Sequence, residues 1–156
     1  MKIKVGQNAP DFSLPSNQGG TVHLKDFKNK KSVILFFYPK DNTPGCTKEA
    51  CGFRDLNDQF KKTDAVVFGI SLDSIESHQN FTNKYQLSFP LLSDKDAQVS
   101  KTYGVYGQKS MYGKKFFGIN RSTFVINKKG IIEEIYEKIK VETHPKEVLE
   151  KLNQNT

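Results

Sequence analysis

A mixed α/β fold, one sheet flanked by helices, is what this 156-residue chain predicts. Three observations point to it. Two short apolar runs, SVILFFY (32–38) and AVVFGIS (65–71), are rich in β-branched and aromatic residues and have the length of strands buried on both faces. Between and after them lie segments with apolar residues at helical spacing, which makes a strand-helix-strand unit. Near the carboxyl end, two further strand-like runs flank the turn sequence Asn-Lys-Lys-Gly at 127–130 and read as an antiparallel hairpin, so the sheet is not all parallel.

In chain order, residues 1–31 hold strand-like pieces around PDFSL and TVHL separated by SNQGG, which predicts an N-terminal β-hairpin extension. The run 32–38 follows as the first buried strand, and Pro39 ends it. After the turn of Thr43, Pro44 and Gly45, the residues Ala50, Phe53, Leu56 and Phe60 recur at near-helical spacing and predict an amphipathic helix from Cys46 to about Lys61. The run 65–71 is the second strand, and Asp73 or Ser74 caps a helix reaching about Tyr85. SFPLLSD, 88–94, is short and apolar and contains Pro90, which marks a strand end or edge; Asp94 or Asp96 then opens a brief helix through about Tyr103. The stretch 104–118 holds four glycines and little periodicity and reads as a surface loop. RSTFVIN is a strand, and Ile131, Glu133, Ile135 and Glu137 alternate in its hairpin partner. Thr143 caps a last helix with Pro145 in its first turn and Val148, Leu149 and Leu152 on its apolar side. No repeat, low-complexity tract or linker interrupts the chain, so residues 1–156 read as a single domain. The order of elements outlines a thioredoxin-like fold, a mixed central sheet flanked by helices, whose reactive groups gather at the carboxyl ends of parallel strands.

Composition narrows the function. The chain has only two cysteines, no apolar stretch of signal-peptide length in MKIKVGQNAPDF, and no run approaching the roughly 18 apolar residues of a membrane span. The expectation is a soluble cytoplasmic protein in a compartment that keeps thiols reduced. The net charge of +7 is carried by 22 lysines and only two arginines, Arg54 and Arg121, spread along the chain. Nucleic-acid recognition leans on arginine clusters interleaved with aromatics, which are missing. The lysines instead form a solvated surface that can steer acidic partners or anionic substrates.

Both cysteines fall in YPKDNTPGCTKEAC, residues 38–51, where the first apolar strand gives way to the helix. A thiol in the first turn of a helix faces unpaired backbone N–H groups and the positive end of the helix dipole, both of which favour thiolate. Cys46 is therefore the candidate nucleophile. Five residues of regular helix put Cys51 roughly 8 to 9 Å away between Cα atoms, beyond disulfide reach, so the pair suits a redox switch that needs local unwinding better than a fixed staple. Two unrelated buried thiols, or a bridge in a non-helical loop, remain open from the residues alone. Two cysteines with no histidine within twenty residues supply too few ligands for zinc. His23, His78 and His144 lie far from Cys46 in sequence and in no site-like motif, which disfavours a Cys-His hydrolase.

The pattern Pro39-x-x-x-Thr43-x-x-Cys46 resembles the peroxidatic motif of peroxiredoxins. The longer FYPKDNTPGCTKEACGFRD is similar to the peroxiredoxin Q, or bacterioferritin comigratory protein, branch, and the resemblance extends through APDFSL, SLDSIESHQNFTNKY, RSTFVIN and VETHPKEVLEKL. Asn42 stands where the family more often has aspartate. The resemblance implies a cofactor-free thiol peroxidase that reduces hydrogen peroxide and organic hydroperoxides with electrons from thioredoxin or a similar dithiol, as a monomer or weak homodimer. It implies Cys46 as the peroxidatic and Cys51 as the resolving cysteine, with Pro39, Thr43 and Arg121 completing the active site.

Residue chemistry supports each role separately. Displacement at oxygen needs a thiolate and donors aimed at the oxygen that leaves with negative charge. The backbone N–H groups of Gly45 and Cys46 are placed for this at a helix start. The Thr43 hydroxyl can donate to thiolate or peroxide, or can equally be a plain turn hydroxyl. Arg121, at a sheet end, favours a thiolate; without the resemblance it reads first as a surface salt bridge. Pro39 directs the chain and shields the sulfur, and Glu49, one turn after Cys46, is a candidate to orient Arg121 or simply a helix-start carboxylate. The rival activity is general thiol-disulfide exchange on the same fold, which would survive Thr43→Val and Arg121→Ala.

Overall fold

The computed structural model describes residues 3–155. It begins with the predicted hairpin, β1 (Ser13–Pro15) antiparallel to β2 (Thr21–His23), followed by a 3-10 turn at Leu24–Phe27. Then come β3 (Ser32–Phe37), α1 (Pro44–Lys62), β4 (Ala65–Ser71), α2 (Ile75–Tyr85), β5 (Leu91–Ser93) and the short α3 (Gln98–Thr102). The chain closes with β6 (Tyr106–Met111), β7 (Lys114–Ile119), β8 (Ser122–Ile126), β9 (Ile132–Tyr136) and α4 (His144–Gln154). Five strands form one mixed sheet in the order β5-β4-β3-β8-β9. Strands β3, β4 and β5 are parallel; β8 runs antiparallel to β3, and β9 antiparallel to β8.

The unbroken apolar character of β3 follows from its central place. Ile34, Phe36 and Tyr38 enter a core closed by α1, α2 and α4, through Phe53, Phe60, Phe81 and Val148. Val33, Leu35 and Phe37 face the other way, into a core closed by Leu14, Leu24 and Tyr103. Each such side chain is worth about 1.5–3 kcal/mol of burial, so both faces hold the strand in register. Gly69 of β4 makes room on the helical side, because a Cβ there would lie 2.8 Å from Phe36 Cζ and from Leu91 Cδ2. The stack of Phe36 on Phe53 beneath α1 depends on that room.

Four local expectations need correction. Helix α1 opens at Pro44, not Cys46, because the fixed φ of proline suits a first helical position; Cys46 is the third residue of the helix. The stretch 104–118 is not a loop but the hairpin β6–β7, closed by Tyr112 and Gly113, whose φ values of 53° and 76° are those of a two-residue turn that matches strand twist. The alternation expected from Ile131 breaks at a bulge opposite Val125 and Ile126, so that Ile132 and Ile135 share one face. Thr143 stands before α4 as expected but gives no side-chain cap; its hydroxyl donates to Glu147 instead. Ser74 does cap α2, accepting from the Ser77 amide.

Candidate active site

The carboxyl end of β3 delivers the chain into the turn 38–43, which is held from below by buried polar groups. Tyr38 donates its hydroxyl to Asp41 Oδ1, and burial followed by the nearby Asp41 charge keeps that phenol well above its ordinary pKa, so it stays a donor. Asp41 Oδ2 also accepts from Ser77 Oγ at 2.8 Å and lies 2.7 Å from His78 Nδ1. The other ring nitrogen of His78 meets the Leu92 carbonyl at 3.0 Å, and the Asp41 amide donates to Asp73 Oδ2 at 2.8 Å. Asn42 sits in the left-handed region at φ 59°, a conformation asparagine tolerates, and accepts from the Tyr85 hydroxyl. Asp41, Asp73 and His78 bring ligand atoms within 4.8 Å of one another, the one such cluster among the described residues. Their oxygens already accept from Tyr38, Ser71 and Ser77, so the cluster is a hydrogen-bonded anchor for the turn.

Above this anchor the first turn of α1 carries the thiol. Cys46 is 1 % exposed, and its Sγ lies 3.3 Å from Arg121 Nη2. Arg121 arrives from the segment between β7 and β8, so an antiparallel strand brings a cation 75 residues distant in sequence onto the sulfur. Gly45 permits the approach: a Cβ there would sit 3.2 Å from the same guanidinium nitrogen. The Thr43 hydroxyl donates to the Lys40 carbonyl at 2.8 Å and makes no cap bond, so the Gly45 and Cys46 amides, which have no partner within the helix, are left uncapped by it. The hydroxyl thus makes the turn bond that was one of its two expected roles, with its oxygen left to accept.

Glu49 is fully buried and holds Arg121 Nη1 through Oε1, while its Oε2 has no hydrogen-bond partner among the described residues. Burial raises its pKa to about 7 against the pull of Arg121. Burial acts against the charge on Arg121 too, yet Glu49 and Cys46 outweigh it and raise its pKa. Lys109 of β6 donates to the Ile119 carbonyl at 2.8 Å, two residues before Arg121. Its pKa is lowered, by burial first and then by the Arg121 charge, with Cys46 opposing.

The structure therefore brings together Cys46, Arg121, Glu49 and Gly45, with Thr43 and Pro39 in the turn that leads to them. Cys51 is apart. It is half-buried, its thiol is free, and it lies on the same unbroken helix, so the geometric separation of roughly 8 to 9 Å holds. His144 pairs with Thr123 and is held down to about 4 by burial; among the described residues no imidazole is bonded to Cys46. Sequence reasoning missed the network of Tyr38, Asp41 and His78: Tyr38 ends an apolar run, but Asp41 and His78 lie among polar residues that give no signal.

Comparison with known proteins agrees with this geometry. The model of the AhpC/TSA family matches residues 5–135. The chain belongs to the AhpC/TSA family. A Coxiella burnetii protein provisionally named peroxiredoxin bcp is 54 % identical over 152 residues, covering 97 % of this chain and 100 % of the relative. Peroxiredoxin Bcp of Bacillus subtilis is 45 % identical, covering 97 % and 96 %. Among solved structures, a cysteine-to-serine mutant of Xylella fastidiosa PrxQ superposes with a TM-score of 0.93 at 37 % identity, over 99 % of this chain and 98 % of that one. The chain is a peroxiredoxin of the Bcp/PrxQ type with a thioredoxin-like fold, and it is an enzyme of the peroxidase class. No helix among the described residues is long and apolar enough to cross a membrane.

Proposed function

We propose that Cys46 is the peroxidatic nucleophile and Cys51 the resolving thiol of a cytoplasmic, thioredoxin-dependent reduction of hydrogen peroxide and organic hydroperoxides. The observation that carries this reading is the buried Cys46 sulfur, 3.3 Å from Arg121 and in a helix turn whose first amides Thr43 leaves uncapped. A Xanthomonas campestris bacterioferritin comigratory protein, 35 % identical, is described by its structure's name as having alkyl peroxide reduction activity.

The steps balance without a metal or organic cofactor. The Cys46 thiolate attacks the proximal peroxide oxygen; the O–O bond breaks, the sulfur is oxidised to sulfenic acid, and the departing oxyanion takes a proton to leave as water or alcohol. Arg121 and the Gly45 and Cys46 amides meet the charge that passes from sulfur to that oxygen, and Thr43 accepts from the hydroperoxide O–H. Pro39 presents no N–H, directs the chain after the strand and shields the sulfur from water. Helix α1 then unwinds locally, the Cys51 thiol condenses with the sulfenic acid with loss of water, and a dithiol partner reduces the disulfide by exchange. Gly45 and Gly52, both weak helix formers, lower the cost of that unwinding by about 1 kcal/mol each relative to alanine. The cycle is complete within one subunit, so it runs in a monomer or a weak homodimer.

Intact mass without reductant, after one equivalent of peroxide, tests the cycle. The native chain should lose two hydrogens, and Cys51→Ser should gain one or more oxygens. An unchanged native mass, or a covalent dimer, would overturn it.

A further inference from the structure

Residues 97–132 contain seven of the 24 basic residues and none of the 17 acidic ones. Outside this segment the counts are 17 and 17, so the whole net charge of +7 resides here. Within it, β6 and β7 pair only with each other, in a two-stranded sheet separate from the main one. Their register places Lys109 opposite Phe116 on one face and Gln108 opposite Phe117 on the other, so the two phenylalanines point to opposite sides. Packing onto the body cannot bury both, and it buries neither. Phe117 is 64 % exposed, Phe116 41 % and the turn residue Tyr112 97 %. Large exposed aromatics on one hairpin, with Lys114 and Lys115 beside them and no carboxylate in the segment, put apolar groups on both faces and at the tip of a narrow ribbon inside a positive field.

The hairpin is also tied to the reacting sulfur. Lys109 bonds the Ile119 carbonyl, and two residues later Arg121 holds Cys46. A partner resting on the hairpin, which extends about 20 Å per strand, lies against the margin of the active site. The cycle above has one step that takes electrons from a second molecule, the dithiol exchange that removes the disulfide, and a protein dithiol needs a surface on which to rest there.

We propose that the β6–β7 hairpin is the docking surface for the reducing partner, an acidic dithiol protein whose reactive cysteine is ringed by apolar residues. Aromatic anchors supply the buried contact and the lysines steer the encounter, so affinity rests on Phe116, Phe117 and Tyr112 and the salt dependence on Lys114 and Lys115. This rests on the proposed cycle.

Two double variants test it, with turnover driven either by dithiothreitol or by a thioredoxin of net negative charge recycled by its reductase and NADPH. Lys114→Glu with Lys115→Glu should raise the KM for thioredoxin about tenfold at low salt, with the gap closing as salt is added. Phe116→Ser with Phe117→Ser should raise it at every salt concentration. In both, dithiothreitol-driven turnover should match the native protein. Thioredoxin kinetics unchanged in both variants, with dithiothreitol turnover normal, would overturn the docking surface and leave the cycle standing. Sedimentation showing a native dimer that the phenylalanine variant dissociates would assign the hairpin to a second copy of the chain and also overturn it. Absence of a Cys46–Cys51 disulfide after peroxide would remove the cycle and this proposal together.

Discussion

Two buried carboxylates flank Cys46 in the sequence, Asp41 before it and Glu49 after it, and they are treated differently. Asp41 below the turn accepts from buried Tyr38 and half-buried Ser77 and faces buried His78, so both of its oxygens are engaged. Glu49 above it, one helical turn after the thiol, engages Arg121 through one oxygen and leaves the other without a partner. A fully satisfied buried network fixes a conformation, whereas a half-satisfied one stores a cost that a functional site can carry. The contrast assigns Asp41 to holding the turn and Glu49 to governing the cation that meets the sulfur.

Breaking the satisfied side should have the largest effect. Asp41→Asn removes the charge opposite His78 and one acceptor for Tyr38 or Ser77, at a cost of about 3–5 kcal/mol in urea-unfolding stability. A loss under 1 kcal/mol would remove the distinction between the two carboxylates. Arg121→Gln strikes the reacting side: kcat/KM for peroxide should fall about 100-fold, near 2.7 kcal/mol of transition-state stabilisation. Retained peroxide turnover would instead favour general thiol-disulfide exchange.

Glu49→Gln sharpens the comparison through pH. The Glu49 pKa is raised from 4.5 to about 7, so the folded state binds a proton that the unfolded state releases in that window. Its contribution to stability is therefore fully present below pH 4.5 and is lost as pH rises towards 7. Urea-unfolding free energies of the native chain should fall between pH 5 and 7 by about 2 kcal/mol more than those of Glu49→Gln, at about 1.4 kcal/mol per unit. Parallel pH profiles for the two proteins would show that Glu49 does not titrate there. Glu49→Gln should also slow peroxide turnover at pH 8, where the native carboxylate fixes Arg121.

Much of this arrangement was legible in the residues. The strands at 32–37 and 65–71 read correctly because burial on both faces demands unbroken apolar runs. Cys46 read correctly as a first-turn thiol because the Thr-Pro-Gly turn is local chemistry. The hairpin β6–β7 escaped because its two faces are both exposed, so no alternation marks it; only the Tyr112-Gly113 turn gave a signal, and it was one glycine among four. The pairing of Asp41 with His78 escaped for another reason, since 37 residues separate two polar groups that neither period nor spacing links.

Local sequence determined the buried strands, the long helices, the Ser74 cap and the placement of a thiol at a helix start, because these depend on side chains within a turn or two of one another. Which charges surround that thiol was decided only by tertiary structure. An antiparallel β8 beside β3 carries Arg121 to Cys46, burial makes Glu49 its partner, and neither distance along the chain nor residue type encodes burial.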